Sequence, residues 1–294
     1  MLLLQCLTSK YTTTVKAGYV QFAPSYLEPE ANLDAVEDLL SGVEADLIVL
    51  PELFTSGYFF RSAEDLEQVA EPIPDGRSTR RLRAWARDLE AVLVAGLPER
   101  SESGLYNSAV VVTPSGETYR YRKVHLFYEE TVLFDPGDLG FPVMEVTTRD
   151  GTPYTLGVMV CFDWYFPESA RSLALNGADV IAHPSNLVLP HCPESMPIRA
   201  RENHVYTVTA NRYGSEQKGE EELTFIGLSE ICGPDGEILR RSGREESEVG
   251  TAELDLEGVR DRNINRYNDV LADRRPEAYV TDRVASRSGG LTAD

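Results

Sequence analysis

Short, unbroken apolar runs recur along this chain, and most are followed by a stretch with helical spacing. Ala45 to Leu50 (ADLIVL), Ala91 to Leu97 (AVLVAGL), Thr155 to Val160 (TLGVMV) and Asp179 to Ala182 are too short for buried helices. They also lack the in–out alternation of a half-exposed strand, so they predict strands covered on both faces. Val15 to Phe22 and Val205 to Thr209 predict two more strands. Between them, Glu30 to Leu40 carries Leu33, Val36, Leu39 and Leu40 on one helical face, and Thr79 to Leu89 reads as a second helix. A third helix begins at Pro167, a good first-turn residue, runs to Asn176 and stops at Gly177, and a fourth is expected from Pro197 to His204. Thr113-Pro114-Ser115-Gly116, Arg149-Asp150-Gly151 and Gly233-Pro234-Asp235-Gly236 sit between alternating runs and predict three hairpins. This mixture of crossovers and hairpins calls for an α/β protein with a mixed sheet or two packed sheets. No linker or repeat interrupts it, so one domain is expected, with an irregular tail after about Asp255.

Charge narrows the partners. The 48 acidic and 28 basic residues leave a formal net charge of −20, which repels phosphate backbones and anionic membranes and speaks against nucleic acid. An acidic solvated face that keeps the protein soluble is the plain reading, and a high-salt habitat is the other. No apolar run reaches the length of a membrane span. Met1-Leu2-Leu3-Leu4 is too short for a signal-peptide core and has no basic residue before it, so residues 1–14 read as an upstream extension. Cys6, Cys161, Cys192 and Cys232 form no CxxC pair and no disulfide framework, as expected of reduced thiols in a cytoplasmic protein without a zinc site.

Three residues occupy places where α/β sheets put reactive groups. Cys161 ends an apolar strand just before a helix, where backbone N–H groups can face a developing oxyanion, although a cysteine there also serves as a small core hydrophobe. Glu52 follows another buried strand and Pro51, among the apolar and aromatic neighbours that turn a carboxylate into a general base; a solvated loop glutamate is the alternative. Lys123 lies in Tyr119 to Phe127 (YRYRKVHLF), either as a solvent-facing strand residue or as a compact charge for an oxyanion. The choice of lysine carries weight, because only Lys10, Lys16, Lys123 and Lys218 are lysines in a chain whose other basic residues are all arginine. Amide cleavage needs a nucleophile, a group that carries its proton to the leaving nitrogen, and positive charge at the oxygen. A histidine partner for the thiol is the rival arrangement, but nothing singles out His125, His183 or His191.

The segments around these residues resemble the nitrilase, or carbon–nitrogen hydrolase, superfamily, in its amidase-like branch. They are PELFTSGY at Glu52, RKVHLFYEETVLFDPGD at Lys123 and VMVCFDWYFPESAR at Cys161, supported by HPSNLVLPHC, RARENHVYTVTANRYG and DRRPEAY. The resemblance covers about residues 15 to 280, leaving 1–14 as an extension and 281–294 as a tail. It implies a four-layer αββα sandwich, no metal or organic cofactor, and a homodimer or higher homo-oligomer. Glu52, Lys123 and Cys161 match the family's triad. A second glutamate usually follows the lysine; Glu129 and Glu130 are both available, and the alignment favours Glu130.

The resemblance further implies a cysteine thioester route from a small linear amide to a carboxylic acid and ammonia, with the backbone N–H of Phe162 as an oxyanion donor. Phe162-Asp163 stands where true nitrilases carry Trp-Glu, which favours an amide over a nitrile. Tyr58, Trp164 and Asn186 are placed at a substrate pocket for a small aliphatic or aromatic acyl group, with plain core packing as the alternative. An N-carbamoyl amidohydrolase or a nitrilase on the same triad is the runner-up. Two readings of other classes stand beside it: an inactive binding or regulatory subunit, and a metal-dependent phosphoesterase using Glu52, Asp163, His183 and Asn186 as ligands.

Overall fold

The computed structural model describes residues 13–280. Most of the expected 1–14 extension and all of the 281–294 tail lie outside them, while Thr14 is already paired in the first strand. The chain divides into two compact units after Asp261. In the second, Asn263–Asn265 and Asn268–Asp269 pair as a small ribbon and Pro276–Ala278 forms one 3₁₀ turn.

The first unit is built on two six-stranded sheets. One has the order β14 (Glu248–Asp255), β1 (Thr14–Gln21), β2 (Leu47–Val49), β3 (Val92–Ser101), β4 (Gly104–Val112), β5 (Thr118–Arg122). The other runs β13 (Ile238–Arg241), β12 (Glu230–Cys232), β9 (Tyr206–Ala210), β8 (Val180–Pro184), β7 (Pro153–Val158), β6 (Val143–Thr147). Each has a parallel centre, β1–β2–β3 and β7–β8–β9, flanked by antiparallel strands. That arrangement explains the apolar runs, since a strand reached by a crossover carries layers on both faces. A separate two-stranded hairpin joins β10 (Tyr213–Lys218) to β11 (Glu221–Ile226).

Four layers result. Helix α1 (Pro29–Leu40) buries Leu33, Val36 and Leu40, and α3 (Arg77–Leu89) buries Leu82, Trp85 and Ala86, all against Val20, Ile48, Leu93 and Val110 of the first sheet. The sheets meet through β1, β2 and β3 against β8 and β9, while α5 (Pro167–Leu175) and α6 (Cys192–Asn203) cover the second sheet. The chain thus forms the expected αββα sandwich. A short α2 (Ala63–Val69) and a single turn α4 (Glu130–Leu133) complete the part that bears the site.

The three hairpins form at their expected turns, with β4–β5, β6–β7 and β12–β13 as arms. Two expectations shift. After Asp255 the chain is not wholly irregular, because Asp255 caps a five-residue helix, Leu256–Arg260, by accepting the Glu257 N–H. Helix α6 starts at Cys192, five residues before Pro197, and carries Pro197 inside it. Proline removes the N–H that would bond the carbonyl one turn back. Here that carbonyl, on Pro193, accepts instead from Arg241 Nη2 at 2.7 Å, so the helix continues through the proline. No helix among the described residues is long and apolar enough to cross a membrane.

Candidate active site

The central parallel strands of both sheets deliver the site from their carboxyl ends. Glu52 lies three residues beyond β2, on a segment that runs alongside β3: Leu50 N–H donates to the Val94 carbonyl, and Gly96 N–H to that of Pro51. The approach is so close that a Cβ on Gly96 would fall 2.4 Å from the Glu52 Cα, and only glycine leaves room. From β8, Asn186 donates its side-chain N–H to the Glu52 carbonyl at 2.9 Å and ties the two sheets together at this point.

Lys123 follows β5 directly. Its side chain is wholly buried, and Nζ donates to Glu52 Oε1 and to Glu130 Oε1, each at 2.7 Å. Glu52 Oε1 also accepts from Asn107 Nδ2 at 2.7 Å, while Glu52 Oε2 is buried with no partner among the described residues. Glu130 accepts further from the Tyr58 hydroxyl at 2.6 Å and from the Phe127 N–H at 3.2 Å. Glu129, one residue earlier, lies at the surface and pairs with Lys218 at 2.7 Å.

Cys161 opens a single 3₁₀ turn, Cys161–Tyr165, with φ +45°, a left-handed conformation costly for a residue with a Cβ. Asp163 holds this elbow. Its Oδ2 accepts from the Val160 N–H at 2.8 Å and the Tyr121 hydroxyl at 2.6 Å, and its Oδ1 from the His125 N–H at 3.1 Å, with the His125 ring 2.8 Å away. The Cys161 thiol donates one long hydrogen bond, 3.8 Å, to the Asn186 carbonyl. None of the three candidate histidines is its partner. His125 serves Asp163 and stacks on Phe166, His183 Nε2 meets the Cys161 carbonyl at 2.9 Å, and His191 precedes α6. Burial lowers the His183 pKa to about 4, so it is neutral at physiological pH.

The electrostatics follow from two carboxyl groups and one ammonium in a buried cluster. Burial works against the Lys123 charge, but Glu130 and Glu52 outweigh it and hold its pKa above the usual lysine range. Burial pushes the Glu130 carboxyl up, and Glu52 adds to this against the opposing pull of Lys123. Burial, then the nearby Glu52 charge, raises the Cys161 thiol well above its ordinary value despite Lys123. At neutral pH the thiol is therefore protonated and requires a base.

Cys161 opens onto a pocket of about 330 Å³, counting the open solvent at its mouth, lined by Phe127, Phe162, Trp164, Tyr165, Asn186, Leu187, Val188 and Leu189. Of the expected pocket residues, Trp164 and Asn186 line it, while Tyr58 is buried behind Glu130 and takes no part in its wall. Asp163 is spent on the elbow and does not line the pocket either. Of the four metal-ligand candidates, Asp163 is taken up by the elbow and His183 by backbone and hydroxyl groups. Among the described residues, Glu52 Oε2 and Asn186 Oδ1 keep no partner, and no three His, Cys, Asp or Glu side chains gather as a metal site.

Asn107 and the β10–β11 hairpin were not singled out from the sequence. A signal for Asn107 exists, because an amide inside the apolar strand LYNSAVVV is an expensive residue to bury without a purpose.

Residues 16–263 match the carbon–nitrogen hydrolase family. The chain is 51% identical over 268 residues to a nitrilase of Pyrococcus abyssi, covering 90% of this chain and 99% of that one. It is 32% identical over 289 residues to an N-carbamoylputrescine amidase of Oryza sativa, covering 90% and 93%. A solved structure of an amidase variant from Nesterenkonia sp. AN1 superposes with TM-score 0.71 at 29% identity over 90% of this chain and 94% of that one; it shows the acetamide moiety of fluoroacetamide covalently added at the active-site cysteine.

Proposed function

The chain belongs to the carbon–nitrogen hydrolase family, and from that premise we propose that it hydrolyses a small linear amide with an uncharged acyl group to a carboxylic acid and ammonia. The observation that carries this reading is Lys123 held at 2.7 Å from both Glu52 and Glu130, in one buried cluster with the Cys161 thiol. In the first step Glu52 takes the thiol proton on its unpartnered Oε2, and the thiolate attacks the amide carbon. Lys123 and the Phe162 N–H receive the oxyanion; amides in the first turn of a helix have no intrahelical acceptor and are free to donate. Collapse of the tetrahedral intermediate breaks the C–N bond, Glu52 returns its proton to the departing ammonia, and a thioester on Cys161 remains. Water, deprotonated by Glu52 beside Glu130, then cleaves the thioester to the acid and restores the thiol.

The pocket supports the substrate class. Its wall is aromatic and aliphatic apart from Asn186 and Cys161, and among the described residues it offers no charged side chain to a substrate tail. A charge moved from water into such a wall without a partner is strongly disfavoured. Butyramide-like and benzamide-like compounds fit these requirements, whereas a carbamoylated diamine with a free ammonium does not. A second reading has its own support in the identity to a chain named nitrilase: a nitrile would enter the same pocket, and the thiolate would add to its carbon. The test is ammonia release from matched amides and nitriles bearing neutral, cationic and carboxylate tails. Turnover of neutral amides above the other classes is expected. Preference for a charged tail would overturn the pocket argument, and faster release from the matched nitriles would favour the second reading.

A further inference from the structure

The β10–β11 hairpin reaches the site from outside both sheets: Ile226 N–H donates to the carbonyl of Leu187 at 3.0 Å, and the hairpin also approaches Glu130 through Tyr58. Glu216, on β10, is buried, and its Oε2 accepts two successive backbone N–H groups, Tyr58 at 3.0 Å and Phe59 at 2.6 Å. The buried Arg212 guanidinium pairs with the same carboxylate and lies 4.1 Å over the Phe225 ring, whose edge in turn meets Tyr58. Gly57 makes this approach possible: its φ is +79°, and a Cβ there would fall 2.6 Å from Glu216 Oε1. The Tyr58 hydroxyl then donates to Glu130 Oε1, the oxygen that also receives the Lys123 ammonium. On the other flank, Lys218 pairs with Glu129, and the Tyr128 hydroxyl donates to Glu221 Oε2 at 2.9 Å.

We propose that the buried Arg212–Glu216 pair is a positioning device, which fixes Glu130 against Lys123 through the backbone and hydroxyl of Tyr58. Two adjacent amides converging on one carboxylate leave residues 58 and 59 a single orientation, and the Tyr58 hydroxyl carries that orientation to Glu130. Charge-assisted bonds of this kind are short and directional, and they transmit position rather than chemistry. Burial, followed by the neighbouring Glu130 charge, also holds the Tyr58 hydroxyl protonated and therefore a donor. Arg212, Glu216 and Tyr58 are positioning residues here; none lines the pocket at Cys161. The inference rests on the role proposed above for Glu130.

The experiment is a mutant cycle on a neutral amide, with Glu216→Gln, Tyr58→Phe and Glu130→Gln alone and in pairs, and with folding checked by circular dichroism. Glu216→Gln is expected to lower kcat about tenfold with KM within about twofold, as positioning groups do. In the Glu130→Gln background the same change should cost less than about twofold, because residues acting through one another are not additive. A folded Glu216→Gln with wild-type kcat, or an equal loss in both backgrounds, overturns the inference. Should Glu216→Gln fail to fold, Tyr58→Phe cuts the same path one bond later and leaves the ion pair intact. A loss that vanishes beside Glu130→Gln supports the inference, and a silent or multiplicative effect overturns it. If Glu130→Gln alone keeps wild-type kcat, the reading of Glu130 falls and the inference with it; if Glu130→Gln is crippled and the other variants fail as described, only the inference falls.

Discussion

Replacing Lys123 by methionine removes one charge and little volume from the centre of the site. In the wild type the ammonium sits between two carboxylates at 2.7 Å each, with no side-chain exposure. Breaking a buried ion pair from one side costs about 3–5 kcal/mol, because the remaining charge has no compensation. In Lys123→Met two carboxylates lose their shared cation, so the folded variant will hold a proton on the Glu52–Glu130 pair that the unfolded chain releases near pH 4.3. An acid whose folded pKa is raised keeps its full stability below the unfolded pKa and loses it as pH rises through the folded one. One extra bound proton costs about 1.4 kcal/mol per pH unit, so stability should fall by about 4 kcal/mol between pH 5 and pH 8 if the pair stays protonated throughout. Wild-type Glu130 already holds such a proton up to about pH 7, so the variant separates from wild type above that. With about 2–4 °C of melting temperature per kcal/mol in chains of this size, the deficit should grow by about 3–6 °C between about pH 7 and pH 8. Thermal melts of both proteins across this range provide the assay, alongside kcat, which should drop by about 10²–10³ with the oxyanion donor gone. A melting deficit independent of pH, or none at all, would refute the placement of Lys123 as the shared cation.

Further predictions follow from single contacts. Glu130→Gln should cut kcat at least about tenfold and Glu129→Gln less than about twofold, since only the first is buried at Lys123; side-by-side kinetics settle it, and the reverse pattern would shift the motif by one residue. Gly96→Ala would press a methyl group into the Glu52 backbone, so activity should fall more than about tenfold while overall circular dichroism is retained. Arg241→Met should destabilise by about 1–3 kcal/mol in denaturant titration, because it leaves the buried Glu230 carboxyl and the Pro193 carbonyl within α6 without their donor. The melting temperature should rise with moderate salt as screening relieves the −20 charge, and a steady fall from low to molar sodium chloride would contradict that.

The parts of this structure that could be read from the sequence are those where one local pattern decides. A buried strand followed by a turn placed Glu52 and Cys161 at the carboxyl ends of the parallel strands, and proline-, aspartate- and glycine-bearing turns located three hairpins. What escaped depended on contacts between distant segments. Glu216 lies in the polar stretch SEQKGEEE, which reads as solvated surface; its burial depends on Arg212, Gly57 and the amides of residues 58 and 59. Asp163 looked like a determinant of substrate choice because it follows Cys161, yet its partners Tyr121 and His125 flank Lys123 and commit it to holding the elbow. The start of α6 was missed because a second proline ordinarily ends a helix, and the arginine that rescues the orphaned carbonyl comes from β13, far along the chain.

The central claim is that Cys161 forms the covalent intermediate, and the kcat of Cys161→Ala on the best amide tests it most directly. The substitution trades a thiol for a hydrogen and removes one long hydrogen bond, so fold and melting temperature should stay close to wild type. Covalent catalysis predicts that turnover falls below about a hundredth of the wild-type rate. A folded Cys161→Ala that releases ammonia faster than that would contradict the account.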